Sequence, residues 1–287
     1  MQVYLDMVKH VLQHGVRKEN RTGVPTLSCF SYFYKVNLQE GYPLLTTKKM
    51  YFNSMLHELF WYLSGEAHIR NLRGKTKIWD AWADQDGKLE TAYGRFWRRY
   101  PVPEKGVDGE NWGNKWIKED KETNQKVFDQ IQYVIDTLKE IKTNPTTPNL
   151  RRMIVNAWHP ANAAESKLPP CHYSFVLNVI GGKLNCHLTQ RSGDIALGIP
   201  FNLACYSLLT MILAKETNYI PGEFAHTIID AHIYENHIEG LKEQLKRTPK
   251  TLPTIKIADK PFNDLKFEDI TLENYNPDPI IKFEVAV

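Results

Sequence analysis

Three stretches rich in β-branched and aromatic residues most constrain the fold, because isolated strands must find pairing partners. They occupy residues 151–158, 171–179 and 183–192. Gly181-Gly182, between the last two stretches, predicts a tight hairpin turn. A further strand is predicted at 224–234. Helical patterns do not alternate with these strands one for one, which favours an α+β fold over a doubly wound one.

The remaining elements are predicted from the spacing of apolar residues. Helical spacing is present over residues 2–14, 51–64, 125–143, 200–217 and 236–246. Further strands are predicted at 27–36, 252–257 and 280–286. Residues 101–124 are charged and lack periodicity, which indicates a surface insertion or a mobile loop. No repeat or linker divides the chain, so we expect 1–287 to be a single domain with a large mixed β-sheet flanked by helices.

Composition argues against several classes of protein. The chain has 42% hydrophobic and 24% charged residues, which is ordinary for a folded globular protein. Its net charge of +3 does not indicate a dedicated nucleic-acid binder, which usually carries a concentrated basic stripe. No stretch matches a signal peptide or a membrane span, so a cytoplasmic location is expected. In that reducing compartment the four cysteines are expected to be free thiols.

Cys171 stands apart from the other three cysteines. Cys29, Cys186 and Cys205 lie inside apolar or alternating segments, which is typical of small buried side chains. Cys171 follows Pro169-Pro170 and opens a predicted strand, at an element end where functional sites tend to lie. A thiol needs cationic neighbours to be a strong nucleophile at neutral pH. On these features alone, Cys171 is either a catalytic nucleophile or a structural cysteine.

Arginines occur at loop or strand boundaries in three separate segments. They are Arg21, the pair Arg151 and Arg152, and Arg191 beside Ser192. Guanidinium forks match phosphate oxygens in bidentate geometry, and a serine hydroxyl adds a further donor. A phosphate held in this way would also place positive charge near a thiolate. The alternative interpretation is that these arginines form surface salt bridges.

Motifs for a metal or a nucleotide cofactor are not found. The adjacent pairs Cys171-His172 and Cys186-His187 would point to opposite faces of a strand, so one ion cannot easily bind both members. His232 and His237 lack the four-residue spacing of a helical zinc motif. No glycine-rich dinucleotide or phosphate-binding fingerprint is present, so nicotinamide and ATP chemistry lose support. We therefore expect no metal in the site.

Several segments, taken together, resemble the thymidylate synthase family. The most specific are LPPCH at 168–172 and QRSGDIALGIPFN at 190–202. The others are RTG at 21–23, PLLTTKK at 43–49, HELFWYLSG at 57–65, IWDAWAD at 78–84, AYGRFW at 92–97, RRMIVNAWHP at 151–160, DAHIYENH at 230–237 and the terminal EVAV. The resemblance runs from the first helix to the C-terminus, with all motifs in register.

The resemblance implies reductive methylation of dUMP to dTMP, with 5,10-methylenetetrahydrofolate as carbon donor and reductant. Cys171 would add to C6 of the uracil, and C5 would then attack the folate methylene. Return of a hydride from the same folate would release dihydrofolate, which agrees with the missing nicotinamide motif. The closest alternative is a dUMP hydroxymethylase, in which water replaces the hydride. Trp79 and the terminal EVAV, which in the family closes over the folate and excludes water, favour methylation.

The resemblance also implies roles for individual residues. The catalytic set is Cys171, Glu58, Tyr93, His172 and Asn202. The dUMP-binding set is Arg21, Arg151, Arg152, Gln190, Arg191, Ser192, Asp194, Asn202, His232 and Tyr234. The folate-binding set is Lys48, Ile78, Trp79, Trp82, Leu168, Asp194, Gly198, Phe201 and Ala286. A homodimer formed through a face of the sheet is also implied, with Arg151 and Arg152 reaching across to the other subunit.

Two of these residues can also be argued from their own chemistry. Glu58 is the one acid in an apolar helix, so burial should raise its pKa and suit it to proton transfer. The alternative is a buried acid satisfied by the backbone. Asn202 offers one acceptor and one pair of donors, which match N3–H and O4 of uracil. Cytosine reverses that pattern, and the related dCMP hydroxymethylases carry an aspartate there, so asparagine favours uracil.

The chain departs from the usual family pattern in the loop that carries Arg21. After the RTG motif, Val24-Pro25 replaces the usual glycine-rich continuation, which is expected to stiffen the arginine loop.

A rival function of a different class is that of a non-catalytic RNA-binding regulator built on the same fold. Such a protein would not need Cys171, Glu58, Asn202 and the arginines together, and the sequence gives binding to messenger RNA no support.

Overall fold

The computed structural model of the chain describes residues 1–89, 92–106 and 108–285. The α-helices in these ranges are α1 (Gln2–His14), α2 (Phe52–Ser64), α3 (Tyr93–Arg98), α4 (Gln130–Thr143), α5 (Pro160–Glu165), α6 (Gly198–Glu216) and α7 (Ile238–Leu245). The strands are β1 (Val16–Lys18), β2 (Thr26–Asn37), β3 (Tyr100–Pro101), β4 (Ile117–Glu119), β5 (Lys126–Phe128), β6 (Ile154–Asn156), β7 (Ser174–Ile180), β8 (Lys183–Asp194), β9 (Ile220–Tyr234), β10 (Thr254–Ile257) and β11 (Ile270–Glu273). The chain divides into two compact units, one formed by Met1–Leu56 with the chain from Val179 onward, the other by His57–Asn178.

The first unit contains a large mixed sheet in which strands pair in the order β1-β2-β9-β8. The long pairing of β2 with β9 is antiparallel and runs from Thr26 opposite Tyr234 to Asn37 opposite Glu223. Strands β8 and β9 are parallel, with Asp194 opposite His232 at one end. Helix α1 packs against β2, and α6 packs against β8 and β9. The predicted α+β fold with a large mixed sheet is therefore confirmed.

Helix α6 is the central helix of this unit. Its sequence is apolar on every side, which is typical of a helix that is covered all round. The buried residues include Leu203, Ala204, Leu208 and Leu213. By length and composition α6 could also cross a membrane, but 72% of its apolar window is buried inside the fold. Burial of this extent is what a core helix shows, so its apolar character is explained by packing.

The second unit combines helices with strands. Strands β6 and β7 pair in antiparallel fashion, with Val155 opposite Phe175. A separate three-stranded sheet has the order β3-β5-β4. Helix α3 packs against α4, and the side chains of Phe96, Trp97 and Phe175 are almost fully buried.

Several element boundaries were predicted closely. The helix at 2–14 is α1, the helix at 51–64 is α2, and the strand at 27–36 lies within β2. Gly181 and Gly182 form the predicted turn with φ values of 57° and 75°, which glycine adopts without strain. The helix at 200–217 starts two residues earlier than expected, at Gly198.

One prediction on the chain between residues 101 and 143 was wrong. The segment 101–124, predicted as a surface insertion or a mobile loop, contains β4, which pairs with β5. The helix predicted from 125 begins only at Gln130, since Lys126–Phe128 form β5. Asp129 caps the helix by accepting a 3.0 Å hydrogen bond from the Gln132 backbone N–H. A capping aspartate of this kind fixes the first turn of a helix.

The prediction of a strand at 280–286 was also wrong, because residues 280–285 form no strand. Ala286 lies outside the described residues. The alternation of side chains in IIKFEV is typical of a strand. In the structure this segment is held instead by side-chain contacts and by a hydrogen bond to one backbone carbonyl. The His237 imidazole donates a 2.7 Å hydrogen bond to the Glu284 carbonyl. The partner of β10 is β11, with Ile257 opposite Ile270.

Candidate active site

The acid of helix α2 is buried and held by two aromatic side chains. The Glu58 side chain is only 7% exposed, and the Trp79 indole N–H donates a 2.7 Å hydrogen bond to its Oε1. Burial raises the pKa of Glu58 to about 7, although hydrogen bonds from Tyr62 and Trp79 act in the opposite direction. The predicted rise of this pKa is therefore confirmed. A carboxyl group that titrates near neutral pH is suited to both accepting and giving a proton.

Tyr62 was not singled out by the sequence interpretation, although a signal was present. It lies four residues after Glu58 on α2, which places the two side chains on the same helix face. Its ring centroid is 5.4 Å from that of Tyr93 and 6.1 Å from that of His172. Tyr62 therefore connects the acid to Tyr93 and His172.

His172 is packed flat against Tyr93. Their ring centroids are 3.7 Å apart and the planes differ by 3°. Burial lowers the pKa of His172 to about 3, so the imidazole is neutral throughout the physiological range. A neutral ring can relay hydrogen bonds but does not supply positive charge to a neighbouring thiolate.

Cys171 lies in a bend three residues before β7, so the prediction that it opens the strand was wrong. Its backbone N–H donates a 2.7 Å hydrogen bond to the Tyr93 hydroxyl instead of joining a strand ladder. Pro169 and Pro170, which have no backbone N–H, also prevent regular pairing before this point. The thiol is half-buried and not part of a disulfide, and its Sγ lies 4.0 Å from the Pro169 carbonyl oxygen.

The other candidates in the second unit lie at or near the surface. Arg151, Arg152 and Ile78 are exposed, whereas Trp79, Trp82 and Leu168 are half-buried. The Trp79 ring is 5.9 Å from that of Tyr93. Trp79 thus belongs to the cluster around Glu58, and a partly open aromatic face of this kind fits a flat ligand.

In the first unit, the end of β8 and the start of α6 bring Gln190 and Asn202 together. The Gln190 amide nitrogen donates hydrogen bonds to the Ser192 carbonyl at 2.9 Å and to Asn202 Oδ1 at 3.1 Å. Arg191, Ser192 and Asn202 are half-buried. Arg21 is exposed in the loop that follows β1. The predicted dUMP-binding residues of β8 and α6 are therefore neighbours.

The predicted dUMP-binding residues His232 and Tyr234 lie at the end of β9. His232 Nδ1 is 3.7 Å from Asp230 Oδ1, and the Lys18 ammonium is 2.6 Å from Asp230 Oδ2. The His232 imidazole and the Lys18 ammonium hold the pKa of Asp230 well below its usual range, even though burial opposes this shift. The ring of Tyr234 meets that of His232 edge-on at 5.3 Å.

Lys48 contacts the C-terminal segment, and Asp194 lies at the end of β8. Lys48 is buried, donates a hydrogen bond to the Ala196 carbonyl and stands 4.7 Å from the centre of the Phe283 ring. Burial lowers the pKa of Lys48 to about 8. Asp194 Oδ1 accepts hydrogen bonds from the backbone N–H groups of Ala196 and Leu197 at 2.8 and 3.3 Å. Gly198 and Phe201 follow in the first turn of α6, and the remaining folate candidate, Ala286, is outside the described residues.

No group of three or more His, Cys, Asp or Glu side chains able to hold a metal ion occurs in residues 1–89, 92–106 or 108–285. The candidate site residues offer a thiol, a carboxyl group with a pKa of about 7, amides and guanidinium groups.

Comparison with known proteins shows the family of the chain. A sequence model of the family described as thymidylate synthase matches residues 2–287. The chain is 48% identical over 337 aligned positions to a thymidylate synthase of Haloferax volcanii, covering 98% of this chain and 95% of that relative. These matches define a methyltransferase that acts on a nucleotide. The chain belongs to the thymidylate synthase family, whose members convert dUMP to dTMP with methylenetetrahydrofolate as co-substrate.

Proposed function

We propose that the protein carries out the reductive methylation of dUMP through a covalent bond between Cys171 and C6 of the uracil. The observation that carries this proposal is the buried Glu58, whose pKa is raised to about 7 and whose carboxylate is held by Trp79. The second unit combines this acid with the half-buried thiol of Cys171, which is not part of a disulfide. A nucleophile and a proton-transfer group tuned to neutral pH are what this addition requires.

In the first step the Cys171 thiolate adds to C6, and the electrons of the C5–C6 double bond move toward C5 and O4. Glu58 acts as the proton-transfer group at O4, which stabilises the enol form of the ring. C5 is then the nucleophile that forms the new carbon–carbon bond. After C5 loses its proton and the methyl group is complete, the C5–C6 double bond is restored and the Cys171 thiolate leaves.

When bound, methylenetetrahydrofolate supplies the one-carbon unit and then the hydride, and leaves as dihydrofolate. The chain has residues that fit such a ligand, because Trp79 and Trp82 offer half-buried aromatic surface. The Asp194 carboxylate offers hydrogen-bond acceptors for the pterin nitrogens. Ile78, Leu168, Gly198, Phe201, Lys48 and Ala286 complete the proposed folate set.

We propose that different residues recognise the phosphate, the ribose and the base of dUMP, each by matching chemistry. Arg21, Arg191 and Ser192 bind the 5′-phosphate, and His232 and Tyr234 bind the ribose. Gln190 and Asn202 recognise the uracil, with Asn202 Oδ1 accepting from N3–H and Nδ2 donating to O4. Tyr93 and His172 hold water near C5, where the proton is removed.

We also propose that residues 1–287 act as one catalytic domain in the cytoplasm, and as a homodimer. On β2, Phe30 is 86% exposed and Phe33 57% exposed, which is unusual for large aromatic side chains of a monomer. In the proposed dimer this face is covered by a second copy, and Arg151 and Arg152 bind the phosphate in the partner subunit. Sedimentation of wild type and of Phe30→Asp tests this, since only wild type is expected to sediment as a dimer.

The reaction is tested by incubating the protein with dUMP and methylenetetrahydrofolate. We expect the dihydrofolate absorbance to rise in proportion to dTMP. Formation of 5-hydroxymethyl-dUMP without dihydrofolate would instead identify a hydroxymethylase. The Trp79 side chain, by excluding water from its side of the site, supports hydride transfer.

The nucleophile is tested with Cys171→Ala and the matched variant Cys29→Ala. We expect Cys171→Ala to lose turnover while it still binds dUMP, and Cys29→Ala to retain both. In wild type, 5-fluoro-dUMP with the folate should give a covalent adduct on the peptide containing Cys171, detected by mass spectrometry. Unchanged turnover by Cys171→Ala would refute the assignment.

A further inference from the structure

A chain of buried hydrogen bonds leads from Tyr34 to Asn202 inside the first unit. The Tyr34 hydroxyl lies 2.9 Å from His226 Nδ1, and His226 Nε2 lies 3.0 Å from Gln190 Oε1. The Gln190 amide nitrogen then reaches Asn202 Oδ1 at 3.1 Å. Tyr34, His226 and Gln190 are at most 5% exposed, so solvent does not compete for these contacts.

The direction of every hydrogen bond in this chain follows from one backbone group. The Ser192 carbonyl can only accept, so the Gln190 atom 2.9 Å from it must be the amide nitrogen. The Gln190 oxygen therefore faces His226, which must carry its proton on Nε2 in order to donate. A neutral imidazole then has its acceptor at Nδ1, where the Tyr34 hydroxyl donates.

The last donor in the chain determines how the Asn202 amide is oriented. Because the Gln190 nitrogen donates, the Asn202 atom that faces it must be the oxygen, and Nδ2 must lie on the other side of the amide. This orientation is the one that uracil requires, with an acceptor for N3–H and a donor for O4. An Asn202 amide rotated by half a turn would present the pattern that suits cytosine.

We infer that Tyr34 and His226 are positioning residues that hold the Asn202 amide in its uracil-selective orientation, acting through Gln190. The inference rests on the proposed function, in which Asn202 recognises the base. Neither Tyr34 nor His226 needs to touch the substrate. Loss of the His226 donor would leave the Gln190 oxygen without its buried partner, so that both amides could rotate and selectivity would fall.

The experiment measures selectivity rather than activity alone. Binding of dUMP and competition by dCMP are measured for wild type, His226→Phe and Tyr34→Phe, and the ratio of the two dissociation constants is compared. We expect His226→Phe to lower the preference for dUMP by about tenfold or more, since each wrongly paired polar group costs about one power of ten or more in binding. Tyr34→Phe should lower it by a smaller factor of about three, because the His226 donor remains.

Two further variants separate positioning from a general loss of structure. His226→Gln keeps a donor near the position of Nε2 and should retain more selectivity than His226→Phe. Tyr42→Phe is the matched control, since its buried hydroxyl donates a 3.0 Å hydrogen bond to Ala204, two residues beyond Asn202 on α6. It should leave the ratio unchanged even if it lowers the unfolding temperature.

The same ratio measured in an Asn202→Ala background distinguishes failure of the inference from failure of the proposed function. If His226 acts through Asn202, His226→Phe should have no further effect on selectivity in that background. If wild type does not prefer dUMP, or Asn202→Ala leaves the preference intact, the proposed recognition of uracil fails. If Asn202→Ala abolishes the preference but both His226→Phe and Tyr34→Phe retain the wild-type ratio, only the present inference is overturned.

Discussion

The backbone N–H of Cys171 donates a 2.7 Å hydrogen bond to the hydroxyl of Tyr93, and this contact fixes the bend that carries the thiol. Tyr93 is itself held by its stacking on His172. The hydroxyl therefore connects the proposed nucleophile to a rigid aromatic cluster. If Cys171 is the nucleophile, its placement by a single buried group makes catalysis sensitive to that group.

Tyr93→Phe should lower kcat by about 10- to 100-fold, because an unpaired buried N–H costs about 1–3 kcal/mol and the bend would shift to avoid it. The ring and its stacking on His172 are kept. Steady-state kinetics should show a much smaller change in KM for dUMP. The matched control is Tyr100→Phe, whose hydroxyl donates a 3.0 Å hydrogen bond to the Trp158 carbonyl. A kcat within twofold of wild type for Tyr93→Phe would contradict this role.

Glu58→Gln should change the pH dependence of stability. The pKa of Glu58 is 4.5 in the unfolded reference and about 7 in the fold, because burial disfavours the charged carboxylate. The contribution of the Glu58 carboxyl to the free energy of unfolding is therefore fully present below pH 4.5. It falls as the pH rises toward 7 and does not change further at higher pH. The difference between the two pKa values corresponds to about 3 kcal/mol.

Urea unfolding at several pH values measures this effect. We compare the free energy of unfolding of Glu58→Gln with that of wild type at each pH. The difference should shift in favour of Glu58→Gln by about 3 kcal/mol from pH 4 to pH 8, since the amide has no charge to bury. The exposed Glu119→Gln on β4 is the control and should track wild type. Equal pH dependence for Glu58→Gln and wild type would mean that the carboxyl titrates normally.

Trp79→Phe should raise the pKa of Glu58 above its present value of about 7. The indole N–H stabilises the ionised carboxylate, so its removal favours the protonated form. Infrared difference spectra report the protonated carboxyl directly, with Glu58→Gln identifying the band. Trp112→Phe, which loses a 2.8 Å hydrogen bond to the Pro103 carbonyl, is the matched control. A band that titrates as in wild type would show that the indole does not influence Glu58.

The sequence predicted best those features that depend on neighbours along the chain. Helices α1 and α2 and strand β2 follow from local periodicity, and the Gly181-Gly182 turn follows from the freedom of glycine at positive φ. The raised pKa of Glu58 could also be predicted, because an acid among apolar residues on a helix must share their burial.

The features that the sequence did not predict depend on contacts between distant residues. Tyr34 and His226 are 192 positions apart, and neither belongs to a pattern that indicates a hydrogen bond. Gly94 is required by packing, since a Cβ there would lie 2.1 Å from the Tyr62 carbonyl oxygen. Cys171 was placed on a strand because its neighbours favour strands, but Tyr93 takes its backbone N–H.

His237 connects the C-terminal segment to Asp194. Its Nε2–H donates a 2.7 Å hydrogen bond to the Glu284 carbonyl, and its ring meets Phe283 edge-on at 5.1 Å. Its Nδ1 is 3.7 Å from Asp194 Oδ1, which is within ion-pair range but too long for a normal hydrogen bond. Burial acts to lower the pKa of His237, but the Asp194 carboxylate and the Glu284 carbonyl raise it on balance.

His237→Phe should therefore release the C-terminal segment, because the ring remains but the donor and the charge are lost. Hydrogen exchange of residues 280–285 should become faster in this variant. In wild type the stabilisation is complete below the unfolded pKa of 6.5 and is lost as pH rises through the raised folded pKa. Exchange corrected for its intrinsic pH dependence should then increase with pH in wild type and stay constant in His237→Phe. If both proteins show the same pH dependence, the segment is held by the contact between Lys48 and Phe283 rather than by the protonated His237.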